Sequence, residues 1–131
     1  MKALIVEDDF VCRLLLQEIL NPYGEIHVAV DGKEALEACD LAWQKEKPYD
    51  LICLDIMMPG MDGQTVLKEI RKKEAERNIH GLDGVKIFMT TALKDKKNIM
   101  KSFKSQCEVY LVKPIDGSKL LEHIRAFDLI D

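Results

Sequence analysis

The chain has no apolar run approaching the roughly 20 residues that a bilayer span requires. The short run near its start, Ala3-Leu4-Ile5-Val6, stops at acids. A secretory signal needs a longer apolar region, so these residues are expected to form a strand of a cytoplasmic protein with no membrane association. Strong net charge is also missing. At −4 over 131 residues, the balance is too mild to indicate direct nucleic-acid binding or a membrane-surface role. No two of the cysteines, Cys12, Cys39, Cys53 and Cys107, stand in C-x-x-C spacing. They are expected to be small buried hydrophobes in a reducing compartment rather than metal ligands or a disulfide frame. Internal repeats, linkers and low-complexity segments are absent as well.

What is present is the balance of an ordinary globular protein, 47% apolar and 32% charged. The length suits one compact domain spanning 1–131, which can bury roughly two thirds of its unfolded surface in a single core. Short apolar runs alternate with helical stripes. Lys2–Val6 reads as a strand, and Phe10–Leu20 as a helix whose stripe is Val11, Leu14, Leu15 and Ile19. Asn21-Pro22-Tyr23-Gly24 ends that helix, because proline breaks the hydrogen-bond ladder and glycine accepts the turn. A strand over Ile26–Val30, a turn at Asp31-Gly32 and a helix over Glu34–Lys45 follow, with Pro48 as the stop.

Leu51–Leu54 is the third strand and runs straight into Asp55. After the loop Pro59–Gly63, Val66, Leu67 and Ile70 mark a third helix that gives way to the charged stretch Arg71–Arg77. The segment Lys72–Gly84 is expected to be an extended loop. Val85–Met89 is a fourth strand, and Lys94–Ser105 a fourth helix with Ile99, Met100 and Phe103 on one side. Val109–Val112 and a helix from about Asp116, with Leu120, Leu121, Ile124 and Phe127, complete the pattern. Strand and helix alternating five times call for an α/β fold, a doubly wound five-stranded parallel sheet with helices on both faces.

In such a sheet, ligands bind outside the carboxyl ends of the strands where strand order reverses. The residues following the strands are Glu7-Asp8-Asp9, Asp55, Thr90-Thr91 and Lys113, while Asp31-Gly32 offers nothing comparable. Taken alone, Glu7-Asp8-Asp9 reads equally as a solvated turn, with Asp9 capping the next helix. A lone strand-end aspartate is usually a turn former, and Lys113 before Pro114 is usually a surface lysine. Together they form a coherent set. Carboxylates gathered at one edge repel one another unless a cation lies among them, and hard oxygen ligands favour Mg²⁺. Beside such a cation, the carboxylate of Asp55 can attack phosphorus and form an acyl phosphate. Lys113 could then pair with Asp55 before the reaction and with a phosphate oxygen after it, and the Thr91 hydroxyl, which taken singly could equally cap a helix, could donate to the phosphate.

The stretches Ile5-Val6-Glu7-Asp8-Asp9, Leu54-Asp55-Ile56-Met57-Met58-Pro59-Gly60-Met61-Asp62-Gly63, Thr91-Ala92 and Tyr110-Leu111-Val112-Lys113-Pro114 resemble the receiver domain of two-component response regulators. The resemblance covers essentially the whole chain and implies a flavodoxin-like receiver fold of the chemotaxis-regulator kind. It implies that Asp55 is the phospho-acceptor, that Asp8 binds Mg²⁺ directly with Glu7 acting mainly through water, and that Asp55 and the backbone carbonyl of Met57 complete the protein ligands. The pair Glu7–Asp8 is preferred to Asp8–Asp9 because Arg13 follows Asp8 at the family spacing. Lys113 would contact the phosphoryl group, its bond to Pro114 would be the family's cis peptide, and Thr91 and Tyr110 would form the switch pair. Gln106-Cys107-Glu108 replaces the Gly-Ala that many receivers carry before the fifth strand.

The implied partners are a sensor histidine kinase or phosphotransfer protein and an unassigned downstream protein. The implied activity is no more than self-phosphorylation and its hydrolysis. Phosphorylation would reshape the face of the fourth and fifth helices, where Lys94, Lys96, Lys97, Lys101 and Lys104 concentrate positive charge. A chain ending after its fifth helix would signal through proteins rather than DNA, although a receiver excised from a longer regulator would read identically. A phosphorelay intermediate or phosphate sink is the alternative. Two other classes fit worse. A haloacid-dehalogenase-type phosphatase needs an acid where Met57 stands, and in a flavin carrier Glu7-Asp8-Asp9 would repel the phosphate. Apolar Met57 and Leu93 are expected to lengthen the phosphorylated lifetime.

Overall fold

The structure, a computed structural model, describes residues 1–92 and 96–131. Leu93 and Lys94 therefore lie outside the described residues, as does the side chain of Lys96. In chain order the elements are β1 (Lys2–Val6), α1 (Phe10–Leu20), β2 (Glu25–Ala29), α2 (Gly32–Gln44), β3 (Leu51–Asp55), α3 (Gly63–Glu76), β4 (Lys86–Thr91), α4 (Lys96–Lys104), β5 (Val109–Val112) and α5 (Gly117–Ala126). All strand pairings are parallel, and the sheet order is β2-β1-β3-β4-β5. Order reverses between β1 and β3, so a crevice opens at their carboxyl ends.

The alternation of side chains along each strand divides the core in two. Leu4, Val6, Ile52, Leu54, Ile87 and Met89 point toward α2 and α3, where Ala35, Cys39, Val66, Leu67 and Ile70 meet them. Ala3, Ile5, Leu51, Cys53 and Phe88 point the other way, onto Leu16 and Leu20 of α1 and Leu120 and Ile124 of α5. Each fully buried Leu, Ile or Phe contributes about 1.5–3 kcal/mol over leaving it in water. No described helix is long and apolar enough to cross a membrane.

Three expectations about the helices need correction. In α1, Val11 is 70% exposed and Leu14 and Leu15 are also exposed, while Leu16 and Leu20 carry the burial. This helix is apolar on most sides, so several stripes compete, and the one lying over the sheet is the one that docks. In α3 the charged stretch does not dissolve into loop: the helix continues to Glu76, and only a short connection with a 3₁₀ turn at Gly81–Asp83 follows. Arg71 and Glu74 sit on its inward side and are paired there. In α4, Met100 and Phe103 are exposed and, among the described side chains, the buried one is Ser102, whose hydroxyl accepts a 2.6 Å bond from Gln64 Nε2 of α3. Of the cysteines, Cys39, Cys53 and Cys107 are buried as expected, but Cys12 is only half-buried.

Four aspartates start helices at the same edge as the crevice. Asp9, Asp31, Asp62 and Asp116 accept hydrogen bonds from the backbone N–H groups of Cys12, Glu34, Thr65 and Ser118 respectively. Each such cap stabilises by about 1 kcal/mol.

Candidate functional site

The caps sort the acids. With Asp9, Asp31, Asp62 and Asp116 occupied by helix ends, the carboxylates that gather at the strand ends among the described residues are Glu7, Asp8 and Asp55. One oxygen from each lies within 4.8 Å of the others. Glu7 and Asp55 are buried and Asp8 is exposed, so the cluster is floored by protein and open on one side. The parallel register places it: Val6 pairs with Leu54 and Asp55 with Thr90, which aligns the ends of β1, β3 and β4. Ile56 N–H donates to the Thr90 carbonyl at 3.0 Å and carries that alignment one residue past the strand.

The loop after Asp55 is tightly seated. At Gly63 a Cβ would lie 2.3 Å from the Asp55 carbonyl oxygen, so no other residue allows α3 to begin so close to the end of β3. Gly63 N–H in turn donates to the Ile56 carbonyl at 2.9 Å. Met57 N–H donates to Asp55 Oδ1 at 3.3 Å, and the Met57 side chain is exposed.

Lys113 supplies the positive charge. Its Nζ donates to Glu7 Oε1 at 2.5 Å and stands 3.5 Å from Asp55 Oδ2. The expected pairing with Asp55 is therefore present but secondary, and the shorter bond goes to Glu7. The Lys113–Pro114 bond is cis, as the motif implies. Burial works against the charge of Lys113, but the hydrogen bond to Glu7 and the charges of Asp55 and Glu7 outweigh it, and its pKa is raised. For Asp55 the balance runs the other way. Burial, then a hydrogen bond and charge repulsion from Glu7, push its carboxyl up to about 7, against the pull of Lys113 and the Met57 N–H. Among the described residues one lysine faces three acids, and a desolvated, under-neutralised carboxylate cluster suits a hard divalent cation.

Thr91 is fully buried at the end of β4, and Lys113 N–H donates to its carbonyl at 2.7 Å. Tyr110 lies on β5 opposite Met89 and is half-buried against the core. The predicted residues Glu7, Asp8, Asp55, Met57 and Lys113 are thus brought together, Thr91 is joined to them through Lys113, and Tyr110 stands on the neighbouring strand. Two contacts were not anticipated. One is the Glu7–Lys113 bond, which joins residues from opposite ends of the chain. The other is Arg13, whose Nη1 reaches the backbone carbonyl of Glu7. Its place on the first turns of α1, following the acids, was the available signal.

Comparison with known proteins agrees with this geometry. The family model described as "Response regulator receiver domain" matches residues 3–125. Chemotaxis protein CheY of Bacillus subtilis is 30% identical over 125 residues, covering 94% of this chain and 93% of that protein. Regulatory protein VanRB of Enterococcus faecalis is also 30% identical, over 94% of this chain but only 50% of its own length. The chain spans about half the length of several such regulators. Among solved structures, the CheX–CheY–BeF₃–Mg²⁺ complex from Borrelia burgdorferi superposes with a TM-score of 0.82 at 25% identity, covering 100% of this chain and 90% of that one. The Vibrio cholerae chemotaxis protein CheY4 gives 0.80 at 26% identity, covering 96% and 97%. Strand order, a carboxylate cluster at the point of reversal and these likenesses lead to one conclusion: the chain belongs to the response regulator receiver domain family, the phosphorylation-dependent switches of two-component signalling.

Proposed function

We propose that Asp55 is the phospho-acceptor of this receiver and that residues 1–131 act as one switching unit in the cytoplasm. The observation that carries the reading is the buried Asp55 carboxylate clustered with Glu7 and Asp8 beside Lys113. An Asp55 oxygen attacks the phosphorus of a phosphohistidine on a kinase or phosphotransfer protein. The new O–P bond forms as the N–P bond breaks, and the imidazole leaves. Asp8 and Asp55, the Met57 carbonyl and, through water, Glu7 would hold Mg²⁺, which supplies charge neutralisation on the phosphoryl oxygens. The Borrelia CheY neighbour was solved with Mg²⁺ and BeF₃, which supports that assignment.

Lys113 lies between Glu7 and Asp55 and contacts a phosphoryl oxygen once Asp55 carries the group. Thr91 donates its hydroxyl to the phosphate, and the Tyr110 ring turns inward to fill the vacated space. The phosphate thereby shifts the balance between two packings of α4, β5 and α5. Lys97, Lys101 and Lys104 of α4 give that face a positive character for a protein target. Self-phosphorylation and slow self-hydrolysis are the only chemistry this reading assigns.

The test is intact-mass analysis during incubation with Mg²⁺ and acetyl phosphate, then after removal of the donor, with Asp55→Asn alongside. Gain of one phosphoryl group in the unaltered protein alone is the expected result, and its slow decay separates a lasting signal from a phosphate sink. No gain at any Mg²⁺ concentration would sink the reading.

A further inference from the structure

Three consecutive acids, Glu7, Asp8 and Asp9, follow β1. Repulsion among them and with Asp55 favours splaying the turn so that Asp8, the exposed member, points away. Side-chain bonds restrain two of the three. Glu7 is tied to Lys113, and Asp9 to the start of α1. The backbone carrying Asp8 is restrained by Arg13. Its Nη1 donates to the carbonyl of Glu7 at 2.9 Å and makes a longer, 3.4 Å contact to the carbonyl of Asp8. The guanidinium lies 5.7 Å from the Phe10 ring centroid, and Arg13 N–H donates to the Asp9 carbonyl at 2.9 Å. The side chain is half-buried and aimed back along the chain at these peptide groups.

We propose that Arg13 is a positioning residue for the cation-binding acids, fixing the peptide planes of Glu7 and Asp8 so that both carboxylates face Asp55. This rests on the receiver reading of the site. Arg13 acts on the acids through their own backbone rather than by contact with the phosphoryl group.

A positioning role and a plain charge effect predict opposite signs. Removing a positive charge near an anionic site strengthens cation binding if charge is all that Arg13 contributes. Removing a positional restraint weakens it. Mg²⁺ titration by calorimetry of the unaltered protein, Arg13→Met and Arg13→Lys distinguishes the two, with melting curves to confirm folding. Several-fold weaker Mg²⁺ binding is expected in Arg13→Met. Arg13→Lys, which keeps the charge but loses the planar donor fork, should fall between the two. Acetyl phosphate labelling should slow at limiting Mg²⁺ and recover toward the unaltered rate at saturating Mg²⁺. Unchanged or tighter binding in Arg13→Met, or in Arg13→Lys should the former not fold, overturns this inference alone. Absence of Mg²⁺ binding in the unaltered protein overturns the receiver reading, and this inference with it.

Discussion

Among the described residues, the two ends of the sheet each hold a cluster of acids around one cation, yet they are built to different purposes. At the carboxyl end, Lys113 faces Glu7 and Asp55 with Asp8 close by. At the amino end, Arg71 of α3 faces Glu74 and Glu108. Its Nη1 donates to Glu74 Oε1 at 2.7 Å and to the Val85 carbonyl at 2.8 Å, and its Nη2 donates to Glu108 at 3.0 Å and to the Gln106 carbonyl at 2.7 Å. The acids are satisfied from the other side too: Val85 N–H donates to Glu74 and Ile87 N–H to Glu108, at 2.7 and 2.6 Å. Burial leaves the Glu108 carboxyl raised, but the Ile87 N–H, Arg71 and Lys86 all pull against that rise. For Asp55, by contrast, the second carboxylate adds to the burial. Backbone donors and a forked guanidinium close one cluster, while a point-charge lysine and a surplus of acids leave the other short of positive charge. The closed cluster joins α3 to the ends of β4 and β5, and the open one has chemistry left to do.

Removing the cation from each end should therefore have unequal consequences. Arg71→Met strands Glu74 and Glu108 in a buried setting, and breaking such a pair costs about 3–5 kcal/mol. Lys113→Met should cost less, because the Asp55 carboxyl, pushed up to about 7 by burial and by Glu7, can take up a proton and donate it to Glu7 in place of the lost lysine. Denaturant melts of the two variants, run without metal, provide the comparison. Equal losses would mean that both clusters are structural. Acetyl phosphate labelling should show the reverse order, with Lys113→Met impaired and any folded Arg71→Met intact.

The same asymmetry sets a pH dependence. The folded pKa of Asp55, about 7, lies above its ordinary 3.8. Its protonation therefore stabilises the metal-free fold fully below the ordinary value, and that contribution is lost as pH rises through 7. Mg²⁺ reverses the sign, since it binds only the ionised form. Apparent Mg²⁺ affinity should fall as pH drops below 7, approaching about tenfold per pH unit for one competing proton. Metal-free melting temperature should decline as pH climbs past 7, and Asp55→Asn should flatten both trends. A Mg²⁺ affinity that stays constant between pH 5.5 and 8 would show that Asp55 is not crowded in this way.

How much of this was legible in the sequence follows from what each feature depends on. β1, β3 and β4 are continuous apolar runs because both faces of the sheet are covered. Their ends, and hence Glu7, Asp55 and Thr91, were visible for that reason. Asp9 was readable as a cap because capping is local. The face of α1 was not readable, since apolar residues surround most of that helix and only the docked sheet selects Leu16 and Leu20. The amino-end cluster was hidden for a different reason. Arg71, Glu74 and Glu108 look like solvated charges until α3 and β5 are brought together, and the replacement of Gly-Ala by Gln106-Cys107-Glu108 acquires its meaning only through Arg71. Likewise, strand ends identify which acids gather but not which one Lys113 approaches most closely.

The smallest effect expected concerns the open side of the carboxyl-end cluster. Met57 is 59% exposed two residues after Asp55, and Leu93, two after Thr91, lies outside the described residues. Hydrolysis of an acyl phosphate needs a water held in line with the phosphorus, and an apolar side chain offers that water no hydrogen bond. The amino-end cluster shows how backbone and side-chain donors complete a site, and the same logic suggests supplying them here. Met57→Asn combined with Leu93→Glu, the two positions singled out in the sequence, should shorten the phosphorylated lifetime several-fold without changing the melting temperature. The decay of the phosphorylated mass after donor removal reads this directly. An unchanged decay would mean that water access is governed elsewhere, and that the open side of the cluster admits cation and donor without setting how long the signal lasts.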